Sequence, residues 1–304
     1  MKISDDSFYH FPTDNVELFE KLNKINCKST KYTVGLIGES LLKKPIYSAT
    51  IGDLKNPIVF VGAIHAQEWL TSKLLVYFLE RMCNFFEKNE KAISINMKNF
   101  SFINNGVVFI PTLNPDGVDI AIKGVNSAGE FSGIVKKAMK KDERSWQANA
   151  RGVDLNHNFD AGYDKLKNIE ISSGITGASP RQYGGEFAHS EPETKAIIDF
   201  LNKINPRAVF AFHSQGEEIF YEYGDNTPTI SYFVAELYRK LSGYKLVKND
   251  SLYSHGGLKD YCIEKLKIPS FTIEIGKGEN PLPIDDLFPI YDKIKKMLVA
   301  MITL

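Results

Sequence analysis

The chain has 304 residues, and its 37 Lys and Arg residues balance 37 Asp and Glu residues, so its formal net charge is zero. This length fits one large α/β domain or two small ones, with a sizeable core. With 43% hydrophobic and 24% charged residues, the composition excludes a disordered or fibrous protein. Zero net charge argues against nucleic acid as the main partner, because phosphate binding depends on clustered Lys and Arg.

The apolar runs, the N-terminus and the cysteines predict a cytoplasmic protein without a membrane partner. The longest apolar runs, such as residues 57–64, are far too short to span a bilayer. The first residues lack the basic-then-apolar order of a signal peptide, although a secreted protein whose leader was removed stays an alternative. Cys27, Cys83 and Cys262 are odd in number and widely spaced, which argues against disulfides. The oligomeric state stays open.

Hydrophobic patterning predicts a single α/β domain over residues 1–304, with residues 1–31 as an N-terminal segment packed on it. Continuously apolar strands that alternate with amphipathic helices indicate a mainly parallel sheet covered on both faces. Ser190 and Glu193 form the pattern of a capping box at the start of a helix. In chain order, the predicted elements are a helix at about 14–24, strands at 45–52 and 57–64, a helix at 68–87, a strand at 106–113, a long polar stretch at 114–190, a helix at 190–202, strands at 208–212 and 218–223, helices at 228–242 and 258–266, a strand at 270–275 and a helix at 285–302.

Candidate metal ligands lie where two of the predicted strands end. His65 and Glu68 follow one apolar strand, and His213 directly follows another. The carboxyl ends of strands are where α/β sheets hold ligands, and two His with one Glu suit zinc. An isolated His-x-x-Glu pattern is usually structural, but a third acid, Glu274, lies in another apolar strand. An ionised carboxylate there is costly unless it is near a metal, and burial raises its pKa towards that of a general base.

Six motifs, in order along nearly the whole chain, resemble the zinc carboxypeptidase family of metallopeptidases, the carboxypeptidase A type. The resemblance implies an α/β/α domain with a mixed, mainly parallel twisted sheet of about eight strands flanked by helices. The motifs are Ile37-Gly-Glu-Ser40 with Pro45-Ile-Tyr47, His65-Ala-Gln-Glu68, Asn114-Pro-Asp-Gly117, Gly152-Val-Asp-Leu-Asn156, His213-Ser and Thr272-Ile-Glu274.

The resemblance also implies roles for particular residues. One Zn²⁺ per chain would be held by His65, Glu68 and His213, with water at the open fourth position. Asp154 matches the aspartate that accepts a hydrogen bond from the first ligand histidine and fixes its tautomer. Glu274 matches the base that activates the water and then protonates the leaving amine. The chain is therefore expected to be a zinc metallopeptidase with a peptide substrate.

Two arginines of the family are replaced in this sequence. Asn156 and His157 match the family's substrate-binding Asn-Arg pair, but His157 stands where the family has an arginine that clamps the C-terminal carboxylate of the substrate. Gln147 stands where the family has its oxyanion-binding arginine. Loss of a bidentate guanidinium is not a conservative change. Gln147 can donate a hydrogen bond without charge, and Arg151 is an alternative cation. A C-terminal trimming peptidase of the usual kind is therefore not expected.

Other positions point to an acidic substrate. Lys259 matches the bottom of the family's pocket for the residue after the scissile bond, where a cation would pair with an acidic side chain. The alternatives are that Lys259 is solvated and that Arg151 or Arg181 binds the acidic side chain. Tyr253 is the candidate for the family's flexible tyrosine. Residues 179–185 and 274–283 resemble bacterial γ-D-glutamyl-L-diamino acid endopeptidases, which cut murein peptides between D-Glu and meso-diaminopimelate. That bond is the predicted substrate.

Two other functions stay open at this stage. One is a metallocarboxypeptidase of unusual specificity, in which His157 or Arg151 recognises the C-terminal carboxylate. The other is a zinc-binding module without activity. Retention of Glu274 argues against the module, because a pure binder needs no buried base, whereas loss of the usual oxyanion arginine argues weakly for it.

Overall fold

Eight strands form one mixed sheet in the order β1-β2-β4-β3-β5-β8-β6-β7. The structure is a computed structural model that describes residues 6–27, 31–88, 105–139, 146–248 and 255–304. Four strand pairings are parallel and three are antiparallel, which confirms the predicted mixed, mainly parallel sheet of about eight strands. The strands are β1 Tyr32–Glu39, β2 Pro45–Ile51, β3 Ile58–Val61, β4 Val107–Ile110, β5 Ala208–Ser214, β6 Glu218–Phe220, β7 Lys245–Val247 and β8 Ser270–Ile275.

Helices flank this sheet. In the described ranges, no helix is long and apolar enough to cross a membrane. The helix that begins at Leu258 continues as the π-helical turn Cys262–Leu266. The α-helices in the described part of the chain are Asn15–Lys24, Trp69–Lys88, Pro115–Lys123, Ser132–Ala138, Tyr163–Ser172, Pro192–Ile204, Ile230–Ser242, Leu258–Tyr261 and Leu287–Met301.

The central strands are buried on both faces. Every residue of β3, β4 and β5 is buried, and successive residues alternate between two apolar clusters. On one face Phe60 stacks on Phe109 and Phe210, with ring centroids 5.1 and 5.4 Å apart. Each buried phenylalanine of this kind stabilises the fold by about 1.5–3 kcal/mol. The helices Trp69–Lys88 and Leu287–Met301 cover this face, and Pro192–Ile204 covers the other.

Four parts of the chain differ from the predicted elements, and one is β1, which the apolar pattern did not predict because none of its residues is buried. The described residues of the polar stretch 114–190 contain three α-helices of at most ten residues each, too short to show a long apolar pattern, and the Asn114 side chain caps the first of them. The predicted capping box at Ser190 is wrong: the helix begins at Pro192, and the Glu193 carboxylate accepts from the backbone N of Leu41 instead. The short edge strand β7 was not predicted from its exposed residues.

Cys27 and Cys83 form a disulfide, with their Cα atoms 4.8 Å apart, so the prediction of unpaired cysteines is wrong. The two residues are 56 positions apart, and only the packing of residues 6–27 on helix Trp69–Lys88 brings them together. Cys262 is free and buried. The prediction of a cytoplasmic location loses the support that it drew from reduced thiols, because disulfides persist mainly in oxidising compartments.

Candidate active site

His65 lies in the loop after β3, and Glu68 ends the 3-10 turn Ala66–Glu68 that follows it. Gly62 is the first residue beyond the strand. A Cβ atom on Gly62 would lie 2.8 Å from the carbonyl oxygen of Pro111, so a side chain there would push the ends of β3 and β4 apart. Glycine therefore lets the loop with His65 start close to the neighbouring strand.

The buried side chain of Asn114 joins two loops of the site. Its amide nitrogen donates to the carbonyl oxygens of Ile64 and Ala148, at 3.1 and 3.2 Å. Its amide oxygen accepts from the backbone N of Gly117 at 2.9 Å and caps the helix Pro115–Lys123. The Asn-Pro-Asp-Gly motif thus holds the loop of His65 against the segment that contains Gln147.

Three side chains converge at the carboxyl ends of β3 and β5. His65 Nδ1 lies 2.9 Å from Glu68 Oε1, and His213 Nδ1 lies 3.0 Å from Glu68 Oε2. The two Nδ1 atoms are 3.2 Å apart. Within the described ranges, these three residues are the group whose ligand atoms could hold a metal ion. Two imidazoles and one carboxylate that leave an open position match the ligands of catalytic zinc.

Asp154 fixes the orientation of His65 from behind. Its Oδ1 lies 3.2 Å from His65 Nε2 and accepts a hydrogen bond from that N–H, which directs Nδ1 towards the site. The backbone N–H groups of Asn156 and Gln182 donate to the same carboxylate, at 3.1 and 2.9 Å. Burial opposes the charge, but His65, His157 and these hydrogen bonds hold the pKa of Asp154 well below its usual value. Burial opposes the charge of His65, but Glu68 and Asp154 outweigh it and raise the pKa of His65 well above its usual value, so a metal ion would bind at Nδ1 in place of a proton.

Two glutamates of the site have pKa values shifted in opposite directions. Burial disfavours the charge of Glu68, but His65 and His213 outweigh it and lower its pKa, so Glu68 is an ionised ligand. Burial and the charge of Glu68 raise the pKa of Glu274 well above its usual value. Glu274 stands beside His213 in the parallel pairing of β5 with β8. One carboxylate can thus bind a metal while the other exchanges a proton.

An open cleft of about 540 Å³ lies over these side chains. It brings together His65, Glu68, Gln147 and Glu274, four of the residues that the sequence predicted for the site. Its other lining residues are Gln67, Arg181, Ser214, Gln215, Glu218, Phe220, Gly278, Glu279 and Asn280. Gln147 was the predicted hydrogen-bond donor in place of arginine, and its position on this wall suits that role.

Several predicted residues do not line the cleft. Arg151 Nε lies 3.7 Å from the buried carboxylate of Glu191. The side-chain oxygen of Asn156 accepts from the backbone N of Leu258 at 3.1 Å, and so supports the helix that contains Lys259. His157 Nδ1 lies 3.7 Å from Asp154 Oδ2, too far for a hydrogen bond. Tyr253 lies outside the described residues.

Lys259 is buried, with 5% of its surface exposed, so the interpretation of a solvated lysine is wrong. Its ammonium donates to the carbonyl oxygen of Glu222 at 2.8 Å and forms an ion pair with Asp260. It also lies 5.5 Å from the centre of the Tyr223 ring. The charge of Lys259 is therefore already balanced within the protein.

Sequence reasoning missed Glu218 and treated residues 218–223 as a strand only. Glu218 is the first residue of β6 and pairs in register with Glu274 of β8. An acid in the strand after His213 was a usable signal, but sequence spacing could not show that β6 borders β8. Arg181, considered only as an alternative cation, lines the cleft and has no ion pair with any described residue.

Known proteins resemble this chain in sequence and in fold. A family model described as zinc carboxypeptidase matches residues 20–297. Gamma-D-glutamyl-L-diamino acid endopeptidase 1 of Lysinibacillus sphaericus is 31% identical over 266 residues, which cover 87% of this chain and 65% of that relative. Carboxypeptidase B2 of Rattus norvegicus is 28% identical over 264 residues, which cover 79% of this chain and 56% of the relative. The chain thus spans less than two thirds of the length of these two relatives.

The crystal structure of thrombin activatable fibrinolysis inhibitor superposes with a TM-score of 0.74 at 22% identity, over 98% of this chain and 75% of that one. Carboxypeptidase A from Helicoverpa armigera gives a TM-score of 0.69 at 21% identity, over 96% and 74% of the two chains. These likenesses show the carboxypeptidase-like α/β fold. With the family match over residues 20–297 and the convergence of two histidines and a glutamate at the strand ends, we conclude that this chain belongs to the zinc carboxypeptidase family of metallopeptidases.

Proposed function

We propose that the chain is a zinc-dependent peptidase that hydrolyses the γ-D-Glu–meso-diaminopimelate bond of murein-type peptides. The observation that supports a peptidase is the cleft in which Glu274 stands beside the ligand set of two histidines and one glutamate. The 31% identity to a γ-D-glutamyl-L-diamino acid endopeptidase supports the substrate.

The family implies zinc, and the donor atoms of His65, Glu68 and His213 fit one ion per chain. When bound, zinc supplies Lewis-acid chemistry: it polarises a carbonyl group and makes water easier to deprotonate. Asp154 keeps the proton of His65 on Nε2 and so leaves Nδ1 free to bind the ion. The ionised carboxylate of Glu68 adds the negative charge that a divalent cation needs.

Glu274 holds and moves the proton in this proposal. Its raised pKa makes the carboxylate basic enough to take a proton from water near neutral pH and then to release it to the leaving amine. Gln147 lines the cleft and donates a hydrogen bond to the oxyanion that develops on the substrate carbonyl. Arg151 is not among the residues that line the cleft, so we assign the role of the family's oxyanion-binding arginine to Gln147.

The charges of the cleft support recognition of an acidic substrate side chain in place of the family's arginine clamp on a C-terminal carboxylate. His157 cannot form the two parallel hydrogen bonds by which arginine clamps a carboxylate. Asp260 balances Lys259, whereas Arg181 lines the cleft with no ion pair in the described part of the chain. We therefore assign the substrate's distal carboxylate to Arg181, with Lys259 as the alternative that its matching position predicted.

Incubation with L-Ala-γ-D-Glu-meso-diaminopimelate tests the proposal. Mass analysis should show release of free diaminopimelate, and a chelator should stop it. Glu274→Gln keeps the shape of the cleft but cannot transfer the proton, so it should lower turnover by roughly 10²–10⁴-fold while zinc stays bound. A peptide of ordinary α-linked residues with a free C-terminus is the control.

The results separate the candidate functions. Trimming of the α-linked control alone would show a metallocarboxypeptidase, the second candidate, which the 28% identity to carboxypeptidase B2 favours. Cleavage of neither peptide by the zinc-loaded protein would contradict the proposal and support a zinc-binding module.

A further inference from the structure

We propose that Glu218 binds an ammonium group on the substrate side chain, so that the cleft selects peptides whose cleaved residue carries a distal amine. The inference rests on the proposed peptidase function and adds a specificity residue to that site. It predicts that diaminopimelate is recognised at both charges of its distal end, the amine by Glu218 and the carboxylate by Arg181.

Glu218 is a partly buried carboxylate without a partner. It lines the cleft and forms no hydrogen bond or ion pair with any described residue. Its neighbour Glu217 is different, because it pairs with Lys277 at 3.1 Å and with Lys293. A carboxylate that has lost part of its water is costly unless a cation or donor compensates it. The missing partner of Glu218 can therefore come from the substrate.

The wall around Glu218 suits an aliphatic chain with an amine at its tip. Phe220 lies two residues further along β6, on the same face, and also lines the cleft. A Cβ atom on Gly216 would lie 3.2 Å from Glu218 Oε2, so a side chain at this position would crowd the carboxylate. Glycine leaves space beside the carboxylate for a substrate group. Methylene groups of the substrate can pack on Phe220 while the ammonium reaches Glu218.

The charges of the cleft also favour a cationic group. Its lining includes four glutamates and a single arginine, Arg181. Glu68 belongs to the ligand set, and Glu274 exchanges a proton, so neither is free to bind an amine. Glu279 is exposed at the rim. Glu218 is thus the acid best placed to bind an ammonium on the wall, and Arg181 is the cation for a carboxylate.

An effect of Glu218 through Glu274 alone would have a different signature. Glu218 pairs in register with Glu274, and its charge contributes to the raised pKa of that base. If Glu218 acted only through Glu274, its removal would change the turnover of every substrate by the same factor. Recognition of an amine changes turnover only for substrates that have one.

The test measures kcat/KM for two matched pairs of L-Ala-γ-D-Glu-X peptides. In one pair X is meso-diaminopimelate or 2-aminopimelate, and in the other X is lysine or norleucine, so each pair differs only by the distal amine. We expect Glu218→Gln to lower kcat/KM by about 10- to 100-fold for the amine-bearing peptide of each pair, since a hydrogen bond to a charged group is lost. The ratio of kcat/KM within each pair should fall in Glu218→Gln and stay unchanged in the control Glu217→Gln, because any effect that passes through Glu274 is common to both peptides and cancels from the ratio.

Equilibrium binding of the same peptides to zinc-loaded Glu274→Gln, with and without Glu218→Gln, gives a readout that does not need turnover. A loss of affinity confined to the amine-bearing peptides supports the inference. An equal change for both members of each pair, or no change, overturns it. If wild type binds the amine-bearing peptides selectively but cleaves none of the four, the proposed peptidase function fails while amine recognition by Glu218 stands.

Discussion

Each nitrogen of the His65 ring has its own partner, and this asymmetry decides what the ring can bind. Asp154 accepts a hydrogen bond from Nε2–H, while Nδ1 points towards Glu68 and His213. A neutral imidazole with a free lone pair is a metal ligand, whereas a protonated one is not. The carboxylate behind the ring therefore matters as much as the ligand itself.

Replacing His213 by alanine should remove most of the bound zinc. The substitution deletes one of three donor atoms and leaves the lone pair of His65 and the charge of Glu68, so affinity should fall by more than about tenfold. Metal analysis of the purified protein after dialysis checks this. His10→Ala is the control, because the ring of His10 packs against Phe288 in another part of the molecule. Equal zinc content in both variants would remove His213 from the ligand set.

The sequence identified the residue types of the site but not their charge balance. Motif order predicted His65, Glu68, His213 and Glu274, which the structure brings into one cleft or beside it. It could not show that Lys259 is buried against Asp260, because burial depends on how distant segments pack. Glu218 escaped notice for the same reason.

At the scale of elements, long apolar patterns were reliable and short polar signals were not. The helices Trp69–Lys88 and Leu287–Met301 and the buried strands follow from periodicity, because burial against the sheet sets that pattern. The helix that begins at Pro192 shows the opposite case. Glu193 has the spacing of a capping box with Ser190, yet a tertiary contact with Leu41 takes its carboxylate.

The buried Glu193 should make stability fall as pH rises. Burial, with the nearby charges of Asp116 and Glu191, raises the pKa of Glu193 from 4.5 to about 8. Between these values the folded protein keeps a proton that the unfolded chain has lost. The free energy of unfolding should therefore decrease with pH, by up to about 1.4 kcal/mol per pH unit.

Urea unfolding at about pH 5, 6.5 and 8 measures this effect, with Glu193→Gln as the matched variant. Glutamine keeps the size of the side chain and cannot ionise. Wild type should lose stability relative to Glu193→Gln across the range. Parallel stability curves for the two proteins would show that Glu193 ionises alike in the folded and unfolded states.

At the scale of the whole molecule, several contacts fasten residues 6–27 to the helix Trp69–Lys88. Tyr9 donates to Glu80 at 2.7 Å, and Lys21 forms an ion pair with the same carboxylate at 2.8 Å. The ammonium of Lys73 donates to the carbonyl oxygen of Phe8 at 2.7 Å. The disulfide between Cys27 and Cys83 closes this set of contacts at the far end of the segment. The N-terminal segment is thus part of the core that supports the sheet.

Reducing this disulfide should lower the stability of the whole molecule. The bond joins residues 56 positions apart and restricts the unfolded chain, an effect worth about 2–4 kcal/mol. For a chain of this size, that corresponds to a fall in Tm of about 3–6 °C. Thermal unfolding of wild type with and without dithiothreitol measures it, and Cys27→Ala/Cys83→Ala is the control. The control should melt at the temperature of reduced wild type and should not respond to the reductant. If all three cysteines of unfolded, unreduced wild type react with iodoacetamide, the disulfide is absent and the segment is held by its other contacts alone.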